Sequence, residues 1–258
     1  MRLATWNVNS LKARLERVEE WLGYARPDIV CLQETKMADG AFPAALFSSL
    51  GYESVHHGNG RWNGVAILSR VGLEGAVAGF ADGVEPDVDT RLVTARCGGV
   101  TVSSVYVPNG RSLDDDHYRY KLDWLSRLRR HLELVASADG STAVCGDFNI
   151  APEDRDVWDP TAFVGFTHVS RPEREALAEL GAWGLVDAFR CCYPDQDSLY
   201  SYWDYRSGDF HSHRGMRIDL LMVSRVLAGR VRWAVVDRNA RKGKQPSDHA
   251  PVLVDLDS

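Results

Sequence analysis

The chain is short of several things that would announce other kinds of protein. Its five cysteines, at positions 31, 97, 145, 191 and 192, are odd in number and lack framework or zinc-ligand spacing, which argues against a disulfide scaffold and a thiolate metal site. Cys31, Cys97 and Cys145 read as buried free thiols, and the adjacent Cys191 and Cys192 as two partly buried thiols rather than a redox pair. No apolar run reaches the roughly 20 residues that cross a bilayer. The N-terminus lacks the basic, apolar and small-residue segments of a secretory signal, so a cytoplasmic protein is expected. There is no excess of positive charge either. A formal net charge of −6 excludes indiscriminate adhesion to nucleic acid, although residues 206–249 hold roughly ten Lys and Arg against four Asp and Glu, a basic stretch suited to a polyanion. Internal repeats, low-complexity tracts and linkers are absent.

What is present is an ordinary globular composition, 45% hydrophobic and 26% charged, enough for a substantial core. A length of 258 residues admits one domain or two. Leu3 to Asn7 reads as a strand. Leu11, Leu15, Val18 and Leu22 then recur at helical spacing, Arg26-Pro27-Asp28 closes that helix, and Ile29 to Leu32 is a strand apolar enough to be buried on both faces. Further strands are expected at Gly64–Ser69, Leu92–Arg96 and Val100–Val107, the last two joined by a tight Gly98-Gly99 turn. Leu122, Leu125, Leu128, Leu132 and Val135 mark a long amphipathic helix. Strands at Thr142–Cys145, Met216–Val223, Val231–Val236 and Val252–Leu256 follow, with a helix around Arg174–Leu180. The pattern is mixed α/β, with helices covering sheet, and leaves open whether there are one or two sheets.

Four polar signatures sit at the ends of these apolar runs: Asn7 in TWNVNS, Glu34 in LQETK, Asp147 and Asn149 in GDFN, and Asp248-His249 in SDHAPV. Carboxylates, carboxamides and a single His suit a hard, oxygen-preferring cation and phosphate-ester chemistry. Glu34 is the strongest single metal-ligand candidate, with Lys36 as a nearby cation. Asp147 and Asn149, two apart on extended chain, would point the same way and could activate and orient a water. Asp219, within an apolar strand, needs a partner to offset its burial. His249 would provide one, its imidazolium then stabilising charge on phosphate. Tyr106 ends a strand before the turn Pro108-Asn109-Gly110. Tyr200, Tyr202, Trp203 and Tyr205, interleaved with Arg206, His211, His213 and Arg214, could stack on bases and hold phosphates. Each motif also has an ordinary reading as solvated charge, turn, core or buried Asp-His pair. A site spread from position 7 to position 249 requires the two ends to return together, so residues 1–258 are expected to form a single domain.

Taken in order, TWNVNSLKAR, LQETK, YVPNG, GDFN, GLVDAFR, WDYRS, RGMRIDLL and SDHAPV resemble the exonuclease III family of apurinic/apyrimidinic endonucleases, and WDYRS, RGMRIDLL and SDHAPV together resemble its bacterial branch. The resemblance spans residues 1 to about 254. It implies a four-layered α/β sandwich, two mixed sheets packed face to face between helices. It also implies a phosphodiesterase dependent on Mg²⁺ or Mn²⁺ that cuts double-stranded DNA 5′ to abasic sites, leaving a 3′-hydroxyl, or trims 3′ ends. Glu34 would then bind the metal, with Asn7, Asn9 and Asp248 near it directly or through water. Asp147 would activate water oriented by Asn149. His249, held by Asp219, would bind phosphate oxygens together with Asn7. Tyr106 would bind phosphate or assist the leaving oxygen, and the roles of Asp147 and Tyr106 could be exchanged. Tyr202, Trp203, Met216 and Ile218 would line a sugar pocket, and Lys36, Arg111 and Arg206 would contact DNA. Met216 stands where some relatives carry Trp, and Asn9 where some carry Asp. No membrane and no obligate protein partner are implied. The competing readings are a lipid or inositol-phosphate phosphodiesterase and a catalytically silent DNA-binding relative.

Overall fold

A computed structural model describes residues 1–257. The elements run β1 (Arg2–Asn7), α1 (Leu11–Ala25), β2 (Ile29–Gln33), α2 (Ala44–Ser49), β3 (Glu53–His57), β4 (Val65–Ser69), β5 (Glu74–Ala78), β6 (Leu92–Cys97) and β7 (Val100–Tyr106). The second half contributes α3 (Asp116–Val135), β8 (Thr142–Asp147), α4 (Arg171–Trp183), β9 (Leu185–Asp187), α5 (Ala188–Cys192), β10 (Asp219–Ser224), α6 (Arg225–Ala228), β11 (Val231–Val236) and β12 (Val252–Leu256).

Two six-stranded mixed sheets result, ordered β11-β12-β1-β2-β4-β3 and β5-β6-β7-β8-β10-β9. Each has one parallel pair at its centre, β1 with β2 and β7 with β8. Strand alternation assigns the faces. Leu3, Ile29, Cys31, Ile67, Ala95, Val102, Cys145 and Leu221 meet in the core between the sheets. Ala4, Trp6, Val30, Leu32, Ala66 and Leu68 turn outward to Leu11, Val18, Trp21 and Leu22 of α1. On the other side Val105, Val144, Leu220 and Met222 pack under Trp124, Leu125, Leu128 and Leu132 of α3 and Leu177 and Leu180 of α4. The order of layers is therefore helix, sheet, sheet, helix, the sandwich that the resemblance implied. Each fully buried Leu, Val or Trp contributes about 1.5–3 kcal/mol to holding it closed.

The Gly98-Gly99 turn forms as expected, with φ of 54° and 82° and Cys97 opposite Val100. Strands β3, β5 and β9 were not anticipated. The first two are edge strands with little full burial, so they carry no apolar alternation, and β9 is only three residues long. Met216, expected to open a strand, forms isolated bridges to Val157 and Tyr202 instead. The ladder begins only at Asp219, which faces Asp147 across the sheet. Met216–Ile218 is extended but paired to loops, and sequence alone does not separate that from sheet.

Candidate active site

Toward one end of the sandwich the inward-facing residues change from apolar to polar. Along β1, Leu3, Thr5 and Asn7 share the inner face, and along β8, Cys145 and Asp147 do so. Register aligns Tyr106 with Asp147, and Asp147 with Asp219, across three neighbouring strands. A polar rung ties the sheets together beneath them: Thr5 donates to Gln33, Gln33 donates to Ser104, and Ser104 donates to the Leu32 carbonyl.

Asn7 is fully buried, and its amide Nδ2 donates at 2.9 Å both to Glu34 Oε1 and to Asp147 Oδ2. Its Oδ1 accepts the Asn9 N–H at 2.9 Å. Asn9 in turn donates from Nδ2 to Asp248 Oδ1 at 3.0 Å and accepts from Lys36 at 2.6 Å. Asp219 lies behind His249, its Oδ2 2.9 Å from Nδ1, and also accepts from Ser201 at 2.6 Å. The other ring nitrogen, Nε2, is 3.8 Å from Asp147 Oδ2. Tyr202 packs its ring against the imidazole at 4.8 Å. The Tyr106 ring lies under the Arg91 guanidinium at 4.6 Å.

Burial and crowding of charge set the protonation states. Burial pushes the Asp147 carboxyl up to about 7, with the negative charge of Asp219 adding to the effect and His249 opposing it. Burial would lower the His249 pKa, but Asp219 and Asp147 outweigh it and raise it to about 10. For Glu34 burial is likewise opposed, here by the Lys36 charge and the Asn7 amide, and the carboxyl is held below its ordinary range. Tyr106 is raised well above its ordinary value by burial and by Glu34.

Two groups of ligand-type atoms could hold a cation. Asp147, Asp219 and His249 bring ligand-type atoms within 4.8 Å of one another. His249, however, is already bonded through Nδ1 to Asp219 and held protonated, so it has no free lone pair to offer. The fit is better at Glu34, Asn9 and Asp248. Glu34 Oε2 and Asn9 Oδ1 converge on one positive charge, the Lys36 ammonium, at 2.9 and 2.6 Å. That hard-oxygen donor set suits a hard divalent cation.

The loops are held by backbone rather than by conventional caps. Ser10 N–H and Leu11 N–H, at the start of α1, donate to the Glu34 and Thr35 carbonyls at 2.7 and 3.0 Å. The position of Glu34 is thereby fixed to a helix end. Glu34 and Lys36 both have left-handed φ, 51° and 52°, uncommon for such residues. The intervening Thr35 is fully buried and bonds His56 Nε2 at 2.8 Å.

Residues 4–249 match the Endonuclease/Exonuclease/phosphatase family. The chain belongs to that family. Exodeoxyribonuclease III of Haemophilus influenzae is 32% identical over 270 aligned residues, covering 99% of this chain and all of that one. The structure of an AP endonuclease from Archaeoglobus fulgidus superposes with a TM-score of 0.96 at 36% identity, each chain covered in full. The 3′ phosphatase NExo from Neisseria, solved bound to product DNA hairpin, superposes at 0.95, also at 36% identity and full coverage. The chain is therefore a nuclease-type hydrolase of DNA repair with the family's two-sheet fold.

Within this family member, the fold gathers Asn7, Asn9, Glu34, Lys36, Tyr106, Asp147, Asp219, Asp248 and His249 at one place. Asn149 is close by, but not as the sequence suggested. Its φ is 50°, and its N–H returns to Asp147 Oδ1 at 2.9 Å, so the chain has already turned out of the strand. Its Nδ2 donates to the Val107 carbonyl, and its Oδ1 takes Asn109 Nδ2 and His168 Nε2 at 3.3 and 3.1 Å.

The expected DNA-contacting residues divide. Tyr202 and Met216 line a cavity of about 170 Å³ with Trp158, Phe163 and Arg214. Ile218 is buried beside Met216, as part of that cavity's support. Trp203 cannot face DNA: it is 0% exposed, packed against Phe210, with Arg238 and Arg241 over its ring. Arg111 and Arg206 are exposed at the surface. Part of the basic 206–249 stretch is not available to a ligand, Arg217 and Arg241 being buried. Arg217 is buried between Asp156 and Asp187, whereas the Arg232 pair with Asp257 lies at the surface. Sequence reading missed Asn109, His168, Ser201 and Ser247. Of these, Asn109 and Ser247 lie inside the motifs YVPNG and SDHAPV, whereas His168 and Ser201 carry no local signal.

Proposed function

We propose that residues 1–258 act as one domain that hydrolyses DNA phosphate esters, cutting 5′ to abasic sites to leave a 3′-hydroxyl and clearing 3′ ends, in the cytoplasm at the nucleoid. The observation that carries this reading is the Asn7 amide, which joins Glu34 of the cation-binding oxygens to Asp147 of the water-activating group, both at 2.9 Å.

In this reading Glu34 and Asp248, with Asn9 and the Asn7 carboxamide in support, hold Mg²⁺ or, in its place, Mn²⁺. The bound ion supplies positive charge against the phosphate oxygens. Asp147, its pKa drawn to about 7 by burial and Asp219, accepts the proton of the attacking water. Asn149 spends one amide hydrogen on the Val107 carbonyl and, with no second partner among the described residues, orients that water with the other. Asp219 holds His249 as the imidazolium, whose Nε2–H, at 3.8 Å too far from Asp147 for a hydrogen bond, can donate to a phosphate oxygen. Tyr106 keeps its proton and can donate to the phosphate or to the departing oxygen. Tyr202 and Met216 accept the displaced sugar in their cavity, and Lys36, Arg111 and Arg206 hold the strand.

A second reading, in which 3′-end processing dominates, is favoured by the full-length match to the Neisseria 3′ phosphatase bound to product DNA. One experiment separates them. A 5′-labelled duplex with a stable abasic analogue and a second duplex with a 3′-phosphate are each incubated with the protein in Mg²⁺ and in EDTA. Incision beside the analogue, lost in EDTA, supports the first reading, and phosphate release or 3′ shortening alone the second. No turnover of either duplex in Mg²⁺ or Mn²⁺ refutes both.

A further inference from the structure

Behind Asn149 lies an ion pair that the proposed chemistry does not use. Lys121 of α3 and Glu173 of α4 are both 0% exposed, with Nζ 2.5 Å from Oε1. The same ammonium donates to the carbonyls of Asn149 at 2.7 Å and Asn109 at 3.2 Å. Glu173 accepts the His168 N–H at 2.9 Å on Oε1 and the Ser170 N–H at 3.0 Å on Oε2, closing the capping box of α4.

The three residues clamped by this pair meet again through their side chains. Asn109 Nδ2 reaches Asn149 Oδ1 at 3.3 Å, and His168 Nε2 reaches the same oxygen at 3.1 Å. Each belongs to a different loop: Asn109 follows β7, Asn149 follows β8, and His168 precedes α4. Those loops lie outside the sheet ladders, joined to one another otherwise by the Ala151 N–H on the His168 carbonyl at 2.8 Å and Asn149 Nδ2 on the Val107 carbonyl at 2.9 Å, and Asn149 and His168 both have left-handed φ, 50° and 78°. A buried ion pair is a weak source of stability, because desolvation offsets its attraction. It is a strong source of position when its remaining donors and acceptors are spent on backbone. Here they are spent on Asn109, Asn149 and His168, which meet at the Asn149 carboxamide, and on the Ser170 cap of α4.

We propose that Lys121 and Glu173 are positioning residues that set the Asn149 side chain against the water or phosphate beside Asp147. The inference rests on the role given to Asn149 in the proposed function. It assigns a catalytic consequence to two side chains that never reach the substrate. Misplacement of a reacting group by about 1 Å can cost about 100-fold in rate, so loosening the clamp lowers kcat while substrate contacts elsewhere keep KM.

The test is a double-mutant cycle on whichever of the two DNA duplexes the protein turns over in Mg²⁺, comparing wild type, Lys121→Met, Asn149→Ala and the double variant. Lys121→Met is expected to lower kcat by about 10- to 100-fold with KM within about twofold, and to add no further loss once Asn149 is Ala. Glu173→Gln retains an oxygen for His168 and Ser170 but loses the charge. It is expected to show a smaller loss in the same direction, and it carries the cycle if Lys121→Met does not fold. Losses that multiply fully in both backgrounds, or a folded Lys121→Met with wild-type kcat, overturn the proposal. Wild-type activity in Asn149→Ala would instead refute the role of Asn149 itself, a failure of the underlying reading that the cycle distinguishes.

Discussion

Asn7 makes one amide group serve two carboxylates, and that economy has a cost if either partner changes. With Nδ2 donating to Glu34 and Asp147 and Oδ1 accepting from Asn9, the side chain has a single workable orientation. Asp147→Asn would place an amide beside that amide and remove the proposed base. Turnover is expected to fall by about 100-fold or more, with DNA affinity within a few-fold of wild type, measured by single-turnover kinetics and equilibrium binding. Turnover close to wild type would remove Asp147 from the mechanism. Asp219→Asn takes away the charge that raises the His249 pKa, leaving Ser201 and the ring with a neutral partner. A loss of about 10-fold or more in kcat is expected. A variant that merely melted earlier, with kcat intact, would reduce the Asp219–His249 pair to a structural contact.

At the scale of elements, the sheets and helices were legible where burial was periodic and illegible where it was not. Leu3, Thr5 and Asn7 alternate with Ala4 and Trp6 because each side of β1 faces a different layer. That alternation, and the 3–4 spacing in α1 and α3, can be read without coordinates. The edge strands β3 and β5 bury too little to leave such a pattern, and their place depends on neighbours distant in sequence. The turn at Asn149 was misjudged as extended chain because the Asp147 side chain caps its N–H, a local hydrogen bond that overrides strand periodicity. Helix α3 also carries a titratable anchor. His131 is fully buried, accepts the Ala81 N–H on Nδ1 at 3.0 Å and bonds Thr94 through Nε2. Burial depresses its pKa to about 4, against partial opposition from Asp82. In the unfolded chain a His titrates near 6.5, so the unfolded state binds the proton first. The contribution of His131 to stability is therefore complete above about pH 6.5 and is lost as pH falls from there through about 4. Thermal unfolding between pH 7 and 4 should show a shallower acid decline in His131→Gln than in wild type, and equal slopes would refute the assignment.

Over the whole molecule, the residues that gather at the site come from β1, β2, β7, β8, β10 and the segment before β12, so the site exists only when both sheets are closed on each other. The identities of its members were visible because they stand at the ends of apolar runs, where a carboxylate or carboxamide is conspicuous. Their supports were not. Trp203 looked like a DNA-stacking residue from its aromatic and basic neighbours in sequence, yet Arg238 and Arg241, from a later segment, fold over its ring.

The same closure concentrates negative charge. Glu34, Asp147, Asp219 and Asp248 lie within one cluster on a chain of net charge −6, while Arg217 is consumed in buried pairs with Asp156 and Asp187. Phosphate approaching this cluster without a divalent ion meets carboxylates relieved chiefly by Lys36 and His249. DNA binding should therefore depend on the ion even when cleavage is impossible. In the Asp147→Asn variant, affinity for duplex DNA is expected to be several-fold tighter in Mg²⁺ than in EDTA at matched ionic strength. Glu34→Gln in the same background should narrow that difference, because it weakens the ion's site and relieves the repulsion together. An affinity indifferent to Mg²⁺ in the Asp147→Asn protein would show that the carboxylates do not repel the strand, and would move the DNA contact away from Glu34.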